Sequence, residues 1–364
     1  MGWSSTPSNA PEVESGIAPP PADKPKVSRN PRKAKVAKAA QGLLDAIGFV
    51  ESATDDAQDY MSHVRMAGGW MIAFDGSIAA GHPVEEDLTV CPHLKRLKEA
   101  VGRAGATMAL AAQENGRLGV TGDKARFTVP CLPGSALFPV MPDPSIATLD
   151  DGLKNGFAAT VALAKEDADT IHEQSVLLRA NTVVGCNGNL ALEYWHGIDL
   201  PPGLGIPHKA AKAVAKQSLP LVGFGWDMGR SVTFHFANGA WIKTQLMAGE
   251  WPDIDRVLNA PTYFAPTPEG LFEALDAILS FSEDGAVHFH EDKLKSTYGN
   301  AEGGALYGAA YDVPGLQKGT SLTGRLLKLA KPAAAEMDYT THDDRVFLMN
   351  NEARLRGVLM KRRA

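Results

Sequence analysis

The feature that most constrains this chain is an internal repeat. From Arg32 onward one pattern recurs: a helix-like stretch, strand-like runs, a second helix, then more strands. The first helices are expected at 33–51, 154–169 and 268–281, and the second helices at 92–104, 207–218 and 318–331. Two sets of landmarks give nearly one period. Pro92 to Pro207 is 115 residues and Pro207 to Thr320 is 113, while Lys33 to Lys154 is 121 and Lys154 to Pro268 is 114. A chain of 364 residues has room for about two or three domains at roughly 150 residues each. The expected organisation is therefore α+β, three copies of a unit with two helices on a β-sheet layer, with boundaries at 31–150, 151–261 and 262–364.

Local signals fit this division. Pro207 has a backbone angle pre-set for a first helical turn, Pro92 sits equivalently, and Thr320 or Ser321 can cap the third copy's second helix. The run SVTFHF at 231–236 places Val232, Phe234 and Phe236 on one strand face, and the runs at 286–290 and 345–349 alternate in the same way. Asn238 and Gly239 between two such runs are a strong hairpin signal. Two copies end in a strand and an aromatic–proline corner, 127–132 before Phe138 and Pro139, and 242–246 before Trp251 and Pro252. The third stops after the run at 355–360. Residues 1–30 hold six prolines and few large apolar groups beyond Trp3 and Ile17, so they are expected to form a disordered tail.

The formal charge is −6, which as a bulk number argues against a nucleic-acid partner. Its distribution reverses that reading. The second helix of the three copies carries net charges of +3, +3 and +4, while the acid sits in strands, loops and the helix at 268–281. The cations recur at helical spacing: Lys35 and Lys38; Lys95 and Lys98, with Arg103 beyond; Lys209, Lys212 and Lys216; Arg325, Lys328 and Lys331. Residues three, four or seven apart share one helix face. A basic stripe on repeated helices of an acidic protein is an electrostatic footprint for a polyanion. Its lysine-rich make-up suits loose phosphate contact better than bidentate base reading.

Other classes find little support. No run approaches the ~20 apolar residues of a membrane span, and no apolar core follows a basic start, so neither membrane insertion nor a secretory leader is expected. Cys91, Cys131 and Cys186 lie far apart, which points to a reducing, cytoplasmic setting. Gly203 and Gly205 precede Pro207 without the Gly-Lys-Ser/Thr of a phosphate loop. Asp150, Asp151, Asp343 and Asp344 read as solvated turn residues, Cys186 as a buried thiol, and Trp195 and His196 as rim or core residues of the second copy. The one enzymatic alternative is a β-rich metal site built from His288, His290 and Glu291. The favoured reading has no catalytic residues, no metal and no cofactor.

Four stretches carry a family resemblance: VLLRA at 176–180 with VVGCNGNLA at 183–191; IPHK at 206–209 opening an Ala-rich helix; LMAGEWPD at 246–253; and VLM at 358–360. In this order, on a triplicated unit, they resemble the bacterial-type beta sliding clamp, the processivity subunit of DNA polymerase III. The family's His-Arg pair is missing from the turn at Gly188 and Asn189, and its terminal Met-Pro-Met is replaced by Met360, Lys361 and Arg362. The resemblance implies a homodimeric, head-to-tail ring, of which one chain is half, with helices lining a hole for double-stranded DNA. It implies that a DNA polymerase and a clamp loader dock short peptides in a cleft bordered by Gly188, Asn189, Leu190, Val358, Leu359 and Met360. An edge of the first copy near 107–112 is expected to pair with an edge of the third copy of the partner subunit.

Overall fold

The computed structural model describes residues 31–134, 140–296 and 308–363, of which residues 31–39 and 106 are described in backbone only. The tail at 1–30 and the corner at Phe138 and Pro139 lie outside the described residues. Eight helices appear among those described: α1 (Pro31–Val50), α2 (Leu94–Ala104), α3 (Asp151–Thr160), α4 (Ile171–Gln174), α5 (His208–Ala215), α6 (Ile254–Leu258), α7 (Leu271–Ile278) and α8 (Gly324–Ala330). The six expected helices correspond to α1, α2, α3, α5, α7 and α8, and the short α4 and α6 were not foreseen.

Helix ends differ from expectation where tertiary pairing claims the backbone. Pro207 and Pro92 do not open helices. Pro207 ends the strand Leu204–Pro207 opposite Ser175, and Pro92 pairs with Cys131, so both stay extended and α5 and α2 begin after them. The third copy's second helix starts at Gly324, because Ser321–Thr323 forms a strand against Ala286–His290. Neither Thr320 nor Ser321 caps it; Thr320 Oγ1 instead donates to the Tyr339 carbonyl at 3.1 Å. α3 is capped by Asp150, whose Oδ1 accepts from the Gly152 amide, and passes into a 3-10 turn at Val161–Leu163 well short of residue 169.

Two long antiparallel sheets cross the repeat boundaries. One has seven strands in the order Val64–Ala67, Trp70–Phe74, Ile78–Pro83, Trp241–Gln245, Ser231–Phe236, Leu221–Asp227, Ser145–Thr148. The other has eight: Leu204–Pro207, Ser175–Leu178, Thr182–Cys186, Leu190–Trp195, Leu355–Met360, Arg345–Asn350, Glu336–Asp338, Ala265–Pro266. Both are joined in the same way. The third strand of one copy pairs with the last strand of the next, Ile78 opposite Thr244 in the first sheet and Leu190 opposite Leu359 in the second. Among the described residues, the leading four strands of the third copy and the trailing three of the first have no such partner. They form a four-stranded sheet (Ala310–Asp312, Lys293–Ser296, Ala286–His290, Ser321–Thr323) and a three-stranded sheet (Ala109–Ala112, Leu118–Thr121, Arg126–Val129).

The alternation read from the sequence decides which face is interior. Val232, Phe234 and Phe236 are buried in one apolar core with Leu43, Ile47, Leu97, Phe157 and Val214 from helices of the first two copies. A second core gathers Leu271, Leu275 and Ile278 of α7 and Leu327 of α8 with Leu190, Leu192 and Leu359. The hairpin at Asn238 and Gly239 forms as expected, with Gly239 at φ 87° and Asn238 Oδ1 accepting from the Ala240 amide.

Candidate nucleic-acid and partner interfaces

The cations of α2, α5 and α8 divide by what already holds them. On α5 the apolar side (Ala210, Ala211, Ala213, Val214) packs into the core, which leaves Lys212 and Lys216 on the exposed side. Neither makes an ion pair among the described residues, and the same is true of exposed Arg103 on α2 and Arg325 on α8. Lys95 pairs with Asp56, Lys98 with Glu51 at 2.6 Å, and Lys328 with Asp276 at 2.6 Å, all exposed. Such surface pairs contribute at most about 1 kcal/mol, so these lysines remain exchangeable toward another anion. Lys331 Nζ lies 5.5 Å from the Phe272 ring centroid. Lys35 and Lys38 lie on the part of α1 that is described in backbone only.

Lys209 departs from the expected stripe. Its ammonium is half-buried, 2.5 Å from Asp75 Oδ2 and 3.6 Å from Asp55. The Asp75 side chain is 1% exposed, and its other oxygen accepts from the Ser77 and Ile78 amides. Burial works to lower the Lys209 pKa, but Asp75, with Asp55 and Glu166 beyond, outweighs it and holds the group above the usual lysine value. Lys209 is therefore a clasp between the first and second copies, since α5 belongs to one and Asp75 to the other. Sequence spacing could not show this, because the partner lies 134 positions upstream.

The six residues expected to border a cleft are split by the sheet. Leu190 and Leu359 face the third copy's core and are fully buried. Val358 points to the opposite, outer face, where α6 covers it with Ile254 and Leu258 beside Leu177, Val184 and Phe347. Gly188 and Asn189 form the exposed turn, with Gly188 at φ 78°, and Met360 is half-exposed next to it, its amide donating to the Asn189 carbonyl at 2.8 Å. The accessible border is thus Gly188, Asn189 and Met360, with half-buried Trp251 and Val257 on the α6 side.

At the far end of that face lies a cluster the sequence reading missed. Glu193, 4% exposed, accepts from Arg179 at 2.9 Å, Thr182 at 2.7 Å and Arg356 at 2.6 Å, and the other terminal nitrogen of Arg179 donates to both Asp255 oxygens. It borders a cavity of about 740 Å³ reaching Trp195 and Arg354. The one legible signal was a lone charge in the apolar strand LALEYW.

The residues of the metal alternative are not brought into a ligand set. His288 and His290 share a strand face, but the residues opposite them are Lys295 and Lys293. Burial, then Lys295 and Lys318, holds the His290 pKa below the usual histidine value. Among the described residues no group of three His, Cys, Asp or Glu side chains could hold a metal ion. Burial likewise raises the Cys186 thiol above its ordinary pKa, which disfavours the reactive thiolate.

No protein-family model and no curated protein matches the sequence. Solved structures do. The DNA polymerase III subunit beta of Pseudomonas aeruginosa superposes with a TM-score of 0.73 over 89% of this chain and 98% of that one, at 14% identity. A sliding clamp from Bartonella birtlesii bound to griselimycin gives 0.74 at 16% identity, covering 89% and 98%. The Helicobacter pylori beta clamp bound to a DNA ligase peptide gives 0.72 at 12% identity, covering 90% and 99%. The chain has the beta sliding clamp fold. The superposition takes in nearly the whole of each clamp chain and about nine-tenths of this one. Nothing in the comparisons supports the metal-dependent alternative.

Proposed function

We propose that this protein is a DNA sliding clamp without an active site: two copies close around duplex DNA and tether a DNA polymerase. The observation that carries the reading is the coincidence of the clamp fold with exposed cations on the second helices of all three copies or at their ends, at Arg103, Lys212, Lys216 and Arg325, none of which makes an ion pair among the described residues. In this reading the domains run 31–150, 151–261 and 262–364, and these helices face the hole and touch phosphates. Polymerase and loader peptides dock on the outer face of the eight-stranded sheet, at the border of Gly188, Asn189 and Met360. Among the described residues no helix is long and apolar enough to cross a membrane.

The same reading takes the ring-closing edges from the repeat. Within the chain each junction joins a copy's third strand to the next copy's last strand. The equivalents left over are Ala310–Asp312 of the third copy and Arg126–Val129 of the first. The edge near 107–112 is the equivalent of Leu221–Asp227, whose neighbour is the linker strand Ser145–Thr148, so it does not occupy the joining position. Arg126–Val129 of one subunit should therefore pair with Ala310–Asp312 of the other, a heterologous contact that closes after two copies. Solution mass and DNA retention test the proposal together. A dimer that stays on nicked circular DNA and runs off the same DNA after linearisation supports it. A monomer at micromolar concentration, or equal retention on circle and linear DNA, overturns it.

A further inference from the structure

The outer face of the seven-stranded sheet carries a second built pocket, at the junction of the first and second copies. One cross-strand row runs Arg65, Ile72, Gly81, Trp241 over four adjacent strands. A Cβ at residue 81 would collide with the Trp241 indole, so this glycine is what lets the ring lie flat on the sheet. Trp241, 2% exposed, floors a cavity of about 310 Å³ walled by Trp70, Ile72, Met141 and Pro142. The linker that supplies Met141 and Pro142 is pinned over the sheet by Asp143, which accepts from Ser231, Thr233 and Lys243 at 2.9, 3.0 and 2.5 Å. The wall is therefore preorganised, which lowers the ordering cost of binding.

Two observations say what would occupy it. The lining side chains are apolar except for Arg65, whose side chain makes no hydrogen bond or ion pair among the described residues, and no carboxylate is among the lining residues. An apolar pocket with one unpaired guanidinium at its side matches an apolar side chain next to a carboxylate. Met141 stands at the rim 68% exposed, an adaptable contact suited to chain on either side of the inserted group. We infer that this pocket docks a short extended segment of a partner protein that presents a Leu- or Phe-sized side chain beside a carboxylate, with Arg65 taking the carboxylate and Trp241 the side chain. The inference is separate from the DNA role, and its test uses no DNA.

The test is a titration of the full chain, carrying 13C-methyl methionine, with N-acetyl-leucyl-phenylalanine as free acid and as amide. The Met141 methyl signal is assigned with a Met141→Leu variant. The expected result is a saturable shift of Met141 with the acid, at least tenfold weaker with the amide and with Arg65→Gln protein. An unmoved Met141 overturns the inference. So does equal binding of acid and amide, or a response confined to Met360, which would place the dipeptide only at the junction of the second and third copies.

Discussion

Lys209, Lys212 and Lys216 share one short stretch of sequence, yet their replacements should fail in different ways. Lys212→Glu with Lys216→Glu removes two exposed cations that make no ion pair among the described residues. Each phosphate neutralised contributes about 0.9 to the slope of log affinity against log salt. With both lysines lost from each subunit of a ring, the slope should fall by about 3 to 4, with no change in sequence preference. The thermal midpoint should barely move, since exposed substitutions usually cost within about 0.5 kcal/mol. Lys209→Met instead strands Asp75, whose side chain is 1% exposed, without its counter-charge. Breaking a buried pair on one side costs about 3–5 kcal/mol, and the half-exposed ammonium places this case near the lower figure. The assays are a salt titration of retention on nicked circular DNA and a urea melt of each variant. Asp75→Asn with Lys209→Met should recover most of the lost stability, because the amide oxygen can still accept from Ser77 and Ile78. If Lys209→Met loses DNA retention at unchanged stability, the clasp is not structural. If the Lys212, Lys216 variant holds DNA as wild type across the titration, these helices do not line a DNA channel.

Other expectations follow from the same geometry. Ala310→Pro, at a position of the edge strand Ala310–Asp312 whose N–H faces away from Lys293–Ser296, should halve the solution mass while far-ultraviolet circular dichroism stays native; a persisting dimer would place the contact elsewhere. Removal of 358–364 should unfold the protein, since Leu355–Met360 sits in the middle of the eight-stranded sheet, so Met360→Glu is the cleaner probe of the peptide border. It should weaken polymerase binding and leave the dimer intact, and unchanged polymerase affinity would exclude Met360 from that border. His196 is 3% exposed, burial lowers its pKa, and its Nδ1 accepts from the Ile198 amide. The unfolded chain therefore takes up this proton first, so the stabilising term is complete above about pH 6.5 and is lost as pH falls below it. Urea midpoints should decline from pH 7 to 5 in wild type and less steeply in His196→Gln; identical pH slopes would mean that His196 is not the group responsible.

Much of the fold was legible because it is written in local periodicity. The strand Ser231–Phe236 and its Asn-Gly hairpin have the boundaries read from the sequence, since alternation and turn chemistry agree there. The basic character of the second helices was equally plain. What failed failed for non-local reasons. Ser321–Thr323 looks like a helix start until Ala286–His290 lies beside it. Leu190 and Val358 look like one cleft wall in sequence, but the pleat sends their side chains to opposite faces of the sheet.

The sequence alone determined the triplicated unit, the position of its helices and the concentration of positive charge on them, because each is set by residues within a few positions of one another. Only the tertiary structure decided that sheets run through the repeat boundaries, that among the described residues Arg126–Val129 and Ala310–Asp312 are the strands left without a joining partner, and that there Lys209 is spent on Asp75 while Lys212 and Lys216 make no ion pair. Strand pairing and charge pairing join residues a hundred or more positions apart, and no spacing rule reports which distant carboxylate or strand edge arrives beside a given residue.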